Sequence, residues 1–158
     1  MRWDAPRVGG RLIWQWQVEH GKISDGAGSL SPRFTVIDSW QGLLDYCALT
    51  VRGPIERFHV LYLDRKNRIL ADELLSIGTV DHVPVYPREV IKRALMLNAS
   101  ALILIHNHPS GDPTPSEADL SMTKEIQKGC KYLGLTLHDH IIVGAGTEQL
   151  SLRALGKL

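Results

Sequence analysis

The order of hydrophobic patterns along the chain predicts a three-layer α/β domain, a mixed β-sheet with helices on both faces. Three observations carry that expectation. Helical and strand-like periods alternate along most of the length, an order that builds sheets covered by helices. Residues 101–105 (Ala-Leu-Ile-Leu-Ile) form an unbroken apolar run too short for a buried helix, which reads as a central strand covered on both sides. The 158 residues, 44% of them hydrophobic, suffice for one ordinary core.

Residues 1–33 read as an N-terminal arm and residues 34–158 as the domain proper. The arm holds Trp3, Trp14 and Trp16 beside Gly9, Gly10, Gly21, Gly26 and Gly28, with no helical period. Residues 12–18 alternate so that Trp14, Trp16 and Val18 share a face, leaving an added strand and a flexible extension as the alternatives. Asp38 or Ser39 can cap a helix in which Trp40, Leu43, Leu44, Cys47 and Ala48 recur at helical spacing before Gly53-Pro54 ends it. Residues 57–63 then read as a strand, which Asp64-Arg65-Lys66-Asn67 turns into a second one over residues 69–75, making a hairpin. A short strand over residues 79–85 leads to Pro87, which suits a first helical position. Val90, Ile91, Ala94, Leu95 and Leu97 give that helix an apolar face ending at Asn98. The run at 101–105 delivers His106 and His108. A loop with Pro109, Gly111, Pro113 and Pro115, a helix over residues 117–128 and a strand over residues 135–143 complete the order.

Composition excludes several classes. Eighteen Lys and Arg against seventeen Asp and Glu leave a formal charge of +1, without the electrostatic footprint of a nucleic-acid or membrane partner. Cys47 and Cys130 belong to no Cys-x-x-Cys pair, so neither a thiolate zinc cage nor a disulfide framework is expected, and a reduced, cytoplasmic setting fits best. The longest apolar run is far too short to span a bilayer, and the N-terminus lacks the charged-then-apolar order of an export signal.

The chemistry concentrates between residues 106 and 119. Side chains alternate along a strand, so His106 and His108 point one way and Asn107 the other, where a structural hydrogen bond is its expected role. Two imidazoles on one side of a strand end can offer two neutral nitrogens to a metal, and the following loop can bring Asp119 round as a third ligand. Taken alone, His-x-His is as readily a pair of surface polar groups, and Ser116-Glu117-Ala118-Asp119 is also a helix capping box. Capping and ligation can coexist.

The whole string His106-Asn107-His108-Pro109-Ser110-Gly111-Asp112-Pro113-Thr114-Pro115-Ser116-Glu117-Ala118-Asp119 resembles the JAMM (MPN-plus) signature. That signature is His-x-His-Pro, a proline-rich loop, then Ser-x-x-Asp, with ten residues between the second histidine and the aspartate. The form His-Asn-His-Pro-Ser-Gly is similar to the bacterial RadC family, given Val85-Tyr86-Pro87-Arg88-Glu89 upstream and Asp139-His140-Ile141-Ile142-Val143-Gly144 downstream. The likeness spans roughly residues 36–153. It implies a JAMM/cytidine-deaminase-like fold and a Zn2+ ion on His106, His108 and Asp119, with one position left for an activated water. It also implies that Ser116 stabilises the oxyanion of a tetrahedral intermediate. The family's glutamate base maps best onto Glu56, ahead of Phe58-His59-Val60-Leu61-Tyr62-Leu63-Asp64, with Glu73 and Glu89 as second and third candidates. The activity implied is that of a zinc-dependent, metallopeptidase-like hydrolase cleaving an amide or isopeptide bond in a peptide or protein. His138, Asp139 and His140 read as groups that orient a ligand from behind it, or that have no role, rather than as a second metal site. His20, His59 and His82 lack ligand-like spacing, and Ser110-Gly111 lacks the elbow of a serine hydrolase.

Rival enzymes fit poorly. A zinc deaminase needs His-x-Glu with Pro-Cys-x-x-Cys, and an amidohydrolase with strand histidines needs a barrel of about 250 residues. Two other classes remain as alternatives: a catalytically silent binding module on the same fold, and a DNA-repair or mobile-element accessory protein. The latter is suggested only by the RadC name. Near-neutral charge weakens it, as does the absence from this sequence of the helix-hairpin-helix region that often precedes the domain in that family.

Overall fold

A computed structural model of the chain describes residues 39–78 and 85–158. The arm over residues 1–33 and nearly all of the strand expected at 79–85 lie outside the described residues. The expected central strand is β3 (Ala101–Asn107), whose seven residues are all buried. It sits in the middle of a five-stranded sheet that also contains β1 (Arg57–Leu63), β2 (Ile69–Ile77), β4 (Thr136–Val143) and β5 (Gln149–Ser151), ordered β2-β1-β3-β4-β5. β1 runs antiparallel to both β2 and β3, β3 runs parallel to β4, and β4 antiparallel to β5, so the sheet is mixed as expected.

The alternation of side chains along β3 divides the core into two halves. Ala101, Ile103 and Ile105 share one face with Leu61, Leu63, Ile141 and Val143, under Leu43, Tyr46, Cys47 and Val51 from α1 (Trp40–Thr50) and the residue after it. Leu102 and Leu104 share the other with Phe58, Val60, Tyr62 and Leu137. Val90 and Ala94 of α2 (Pro87–Met96) and Ile126 and Cys130 of α3 (Glu117–Tyr132) cover that face. One helix on one side and two on the other make the three layers.

Local signals place the helices. The Ser39 hydroxyl accepts from the Gly42 amide at 3.2 Å and starts α1; Pro87 occupies the first turn of α2, where a missing N–H costs nothing. Ser116 and Asp119 exchange hydrogen bonds in a full capping box at the head of α3. Boundaries shift modestly. β2 reaches Ile77 and α3 reaches Tyr132, both beyond the sequence expectation, because sheet pairing and packing extend elements past their local signals. β5 was not expected; three residues carry too short an alternation to be read. Among the described residues, no helix is long and apolar enough to cross a membrane.

The ladder between β3 and β4 is irregular at one point. Leu102 pairs with Leu137 but Ile103 pairs with Asp139, so β4 carries one extra residue, a bulge at His138. The bulge reverses which face the following residues occupy. Leu137 packs on the α2/α3 side, yet so does His140, three residues on, while Ile141 and Val143 face α1.

Because β3 is closed in on both faces, Leu104→Ala should lower the unfolding free energy by about 2–5 kcal/mol, measured by urea denaturation. Leu75→Ala on β2, 37% exposed, should change it by less than about 1 kcal/mol. Equal effects at the two positions would contradict the placement of the core.

Candidate metal centre

The end of β3 carries His106 and, one residue past the strand, His108, both on the α2/α3 face; Asp119 arrives on the first turn of α3. His106 Nε2 and His108 Nε2 lie 2.9 Å apart. Asp119 Oδ1 is 3.4 Å from the first and Oδ2 is 3.6 Å from the second. Ligand atoms of the three residues all fall within 4.8 Å of one another. A tetrahedral zinc with bonds of about 2.0–2.1 Å separates its donor atoms by about 3.3 Å, so the cluster has the right size for such an ion.

Hydrogen bonding fixes which ring nitrogens face the cluster. The Thr123 hydroxyl donates its one proton to the Asp119 carbonyl at 2.6 Å, because a carbonyl can only accept. At its 2.6 Å contact with Thr123 Oγ1, His140 Nδ1 must therefore be the donor. Complete burial holds His140 well below the ordinary imidazole value, so the ring is neutral and its Nε2 bears no proton. That Nε2 accepts from His106 Nδ1 at 2.8 Å. Burial likewise lowers His106 to about 4, so its own Nε2 is bare and faces Asp119. His108 Nδ1 donates to the Asp112 carbonyl at 2.7 Å, which turns its Nε2 to the same spot. Two nitrogen lone pairs and a carboxylate thus converge where only a cation or a proton relieves their repulsion. The donor set of two neutral imidazoles and one carboxylate suits zinc.

Asp119 serves two ends. Its Oδ2 accepts from the Ser116 amide at 2.8 Å and the Ser116 hydroxyl at 2.6 Å, leaving Oδ1 toward His106. Burial pushes its carboxyl up, but the hydrogen bond with His108, the charge of His106 and the two bonds from Ser116 outweigh this and hold it well below the usual carboxylate range. The hydrogen bond with Asp119 raises His108 above the ordinary imidazole value against its burial, with help from the Asp112 carbonyl and the charges of Asp119 and Glu56.

That last contribution bears on the three glutamates. Phe58 stands opposite His106 in the antiparallel register, and counting two residues further along each chain, past the end of the ladder, brings Glu56 level with His108. Glu73 instead lies against α2, gripped by Arg93 through contacts of 2.6, 2.8 and 3.0 Å. Glu89 sits on the exposed first turn of α2 and pairs with Lys92 at 3.6 Å. Of the three, Glu56 is the one whose charge acts on the cluster.

Of the His138-Asp139-His140 group, only His140 reaches a ligand. Asp139 is buried and ties β4 to β5, accepting from Ser151 Oγ at 2.6 Å and the Arg153 amide at 3.1 Å. His138 contacts Asn67 Oδ1 at 3.1 Å. Thr123 carried no sequence signal. The loop after His108 is braced from beneath: the Ala145 amide donates to the Gly111 carbonyl at 2.8 Å, and a Cβ at Gly144 would fall 2.5 Å from that same oxygen.

Two outcomes follow from this geometry. His140→Leu, which strands the His106 Nδ1 proton in a buried site, should weaken zinc binding about 10–100-fold in a chelator competition assay; unchanged affinity would refute the hydrogen-bond chain. With no cation bound, protonated His108 stabilises the fold below about pH 6.5, and that contribution fades as pH rises through its raised value. A metal must displace this proton, so affinity should fall as pH drops, and calorimetry in buffers of different ionisation enthalpy should register proton release near neutrality.

The family described as "RadC-like JAB domain" matches residues 37–157. A UPF0758 protein of Rhodobacter capsulatus is 63% identical over 156 residues, covering 98% of this chain and 72% of its own length. Another, from Ruegeria pomeroyi, is 64% identical over 124 residues, covering 78% of this chain and 55% of its own length. The chain thus spans only part of these relatives, and it belongs to the RadC-like JAB domain family.

Proposed function

We propose that this domain is a zinc-dependent hydrolase that cleaves an amide or isopeptide bond in a peptide or protein. The observation that carries the reading is the convergence of two imidazole nitrogens and one carboxylate within 4.8 Å of one another, with the far ring nitrogens already engaged, His106 Nδ1 by His140 and His108 Nδ1 by the Asp112 carbonyl. Membership of a JAB family supports the same reading.

His106, His108 and Asp119 would hold the ion, which when bound supplies Lewis acidity and an acidified water. The chain's own residues do the rest. Glu56 takes the proton that water loses as its oxygen bonds to the amide carbon, then delivers it to the nitrogen as the carbon–nitrogen bond breaks. Ser116, whose hydroxyl donates to Asp119, turns that proton toward the oxygen on which charge develops. His140 keeps His106 neutral and aligned through the cycle. Phe58, stacked on His106 at 5.8 Å between ring centroids, walls the site from beneath and keeps water from its buried side.

Elemental analysis of protein purified without chelators should find about one zinc per chain, lost in His108→Ala and Asp119→Asn. Glu56→Gln should keep the metal and lose about 10²–10⁴-fold in turnover of fluorescence-quenched peptides. A wild type that stays metal-free with zinc supplied would sink the hydrolase and leave a binding module as the better account.

A further inference from the structure

Glu56 lies on a segment that has no regular structure of its own: residues 51–56 precede β1 without joining the ladder. A base on such a segment needs something to hold it. The side chain placed to do this is Asn107, 2% exposed, between the two cluster histidines and facing away from them. Its Oδ1 accepts from the Arg57 amide at 2.9 Å, and its Nδ2 donates to the carbonyls of Gly53 and Ile55, each at 3.1 Å. Both amide protons are thereby used. The three contacts bracket Glu56, whose own carbonyl accepts from the Gly78 amide at 3.1 Å.

We propose that Asn107 is the positioning residue for Glu56, pinning the peptide on either side of it so that the carboxylate stands at the cluster. The inference rests on the reading of Glu56 as base. Strand alternation then makes three consecutive residues act together, His106 and His108 setting the ion on one face while Asn107 sets the base from the other. Only a primary amide of this length fits. It offers one acceptor and two donors in a plane, matched to one N–H and two C=O groups, whereas a carboxylate of the same shape would face two carbonyls with lone pairs and leucine would satisfy none.

The test is a double-mutant cycle with zinc-loaded protein. Asn107→Leu should keep its zinc and its cooperative unfolding, and speed exchange of the Arg57 amide proton more than about tenfold while leaving Ile103 in β3 protected. On a fluorescence-quenched peptide that the wild type cleaves, it should lower kcat about tenfold or more at unchanged KM, yet add nothing in a Glu56→Gln background. If Asn107→Leu does not fold, Asn107→Asp, which retains the Arg57 contact and loses both donors, should show the same silence in that background. An equal loss of kcat with and without Glu56, loss of zinc, or an unchanged Arg57 exchange rate overturns the positioning role alone. A wild type that binds zinc and cleaves no peptide overturns the hydrolase reading and the base together.

Discussion

The candidate site depends first on the hydrogen bond between His106 Nδ1 and His140 Nε2. His106 sits at the end of a fully buried strand, where an imidazole without a partner would cost about 1–3 kcal/mol in lost hydration. His140 supplies that partner, and its own Nδ1 is anchored on Thr123, which is anchored in turn on the backbone of Asp119. The chain of bonds closes on itself: it begins behind one cluster residue and ends at the main chain of another. It keeps two histidines neutral and one nitrogen exposed to the cluster, so a single polar network inside an apolar sheet settles both orientation and protonation.

Around that network the scaffold is arranged from both sides. α3 brings Asp119 because its capping box fixes the helix start, and the same carboxylate oxygen that caps the helix is kept from wandering by Ser116. The loop between His108 and Ser116 lies over the β4–β5 turn, where Gly144 has no room for a side chain beneath the Gly111 carbonyl. His108 is held at both ends, its amide donating to the Val143 carbonyl at 2.9 Å and its ring to Asp112. Rigid elements set the ligands within narrow limits before any ion arrives, which is the condition under which a metal site binds without a large ordering cost.

The sheet also separates two kinds of buried polar group. On the α1 side, Asp139 joins β4 to β5 through Ser151 and Arg153, an arrangement that serves the fold. On the α2/α3 side, His140 serves the cluster. These two residues are neighbours in the chain and differ in role only because strand alternation sends them to opposite faces.

Much of this was written in local sequence. The apolar run at 101–105 is long enough for a strand and too uniform for a half-exposed one, so its central place was legible; the caps at Ser39 and Ser116 and the proline at 87 marked helix starts by their own chemistry. Spacing alone put His106 and His108 on one face and sent Asn107 to the other, and the motif as a whole singled out Asp119. The sequence could not separate Glu56 from Glu73 and Glu89, because the choice depends on antiparallel register and on Arg93 engaging Glu73 from a different element. Nor could it find Thr123 or choose among residues 138–140, because a single-residue bulge in β4 reverses the facing that alternation would assign. Local periodicity determined where the longer elements lie and, short of the bulge in β4, which face their residues present. Pairing register and the bulge, which are set by contacts between distant segments, decided which of those faces meet at the cluster.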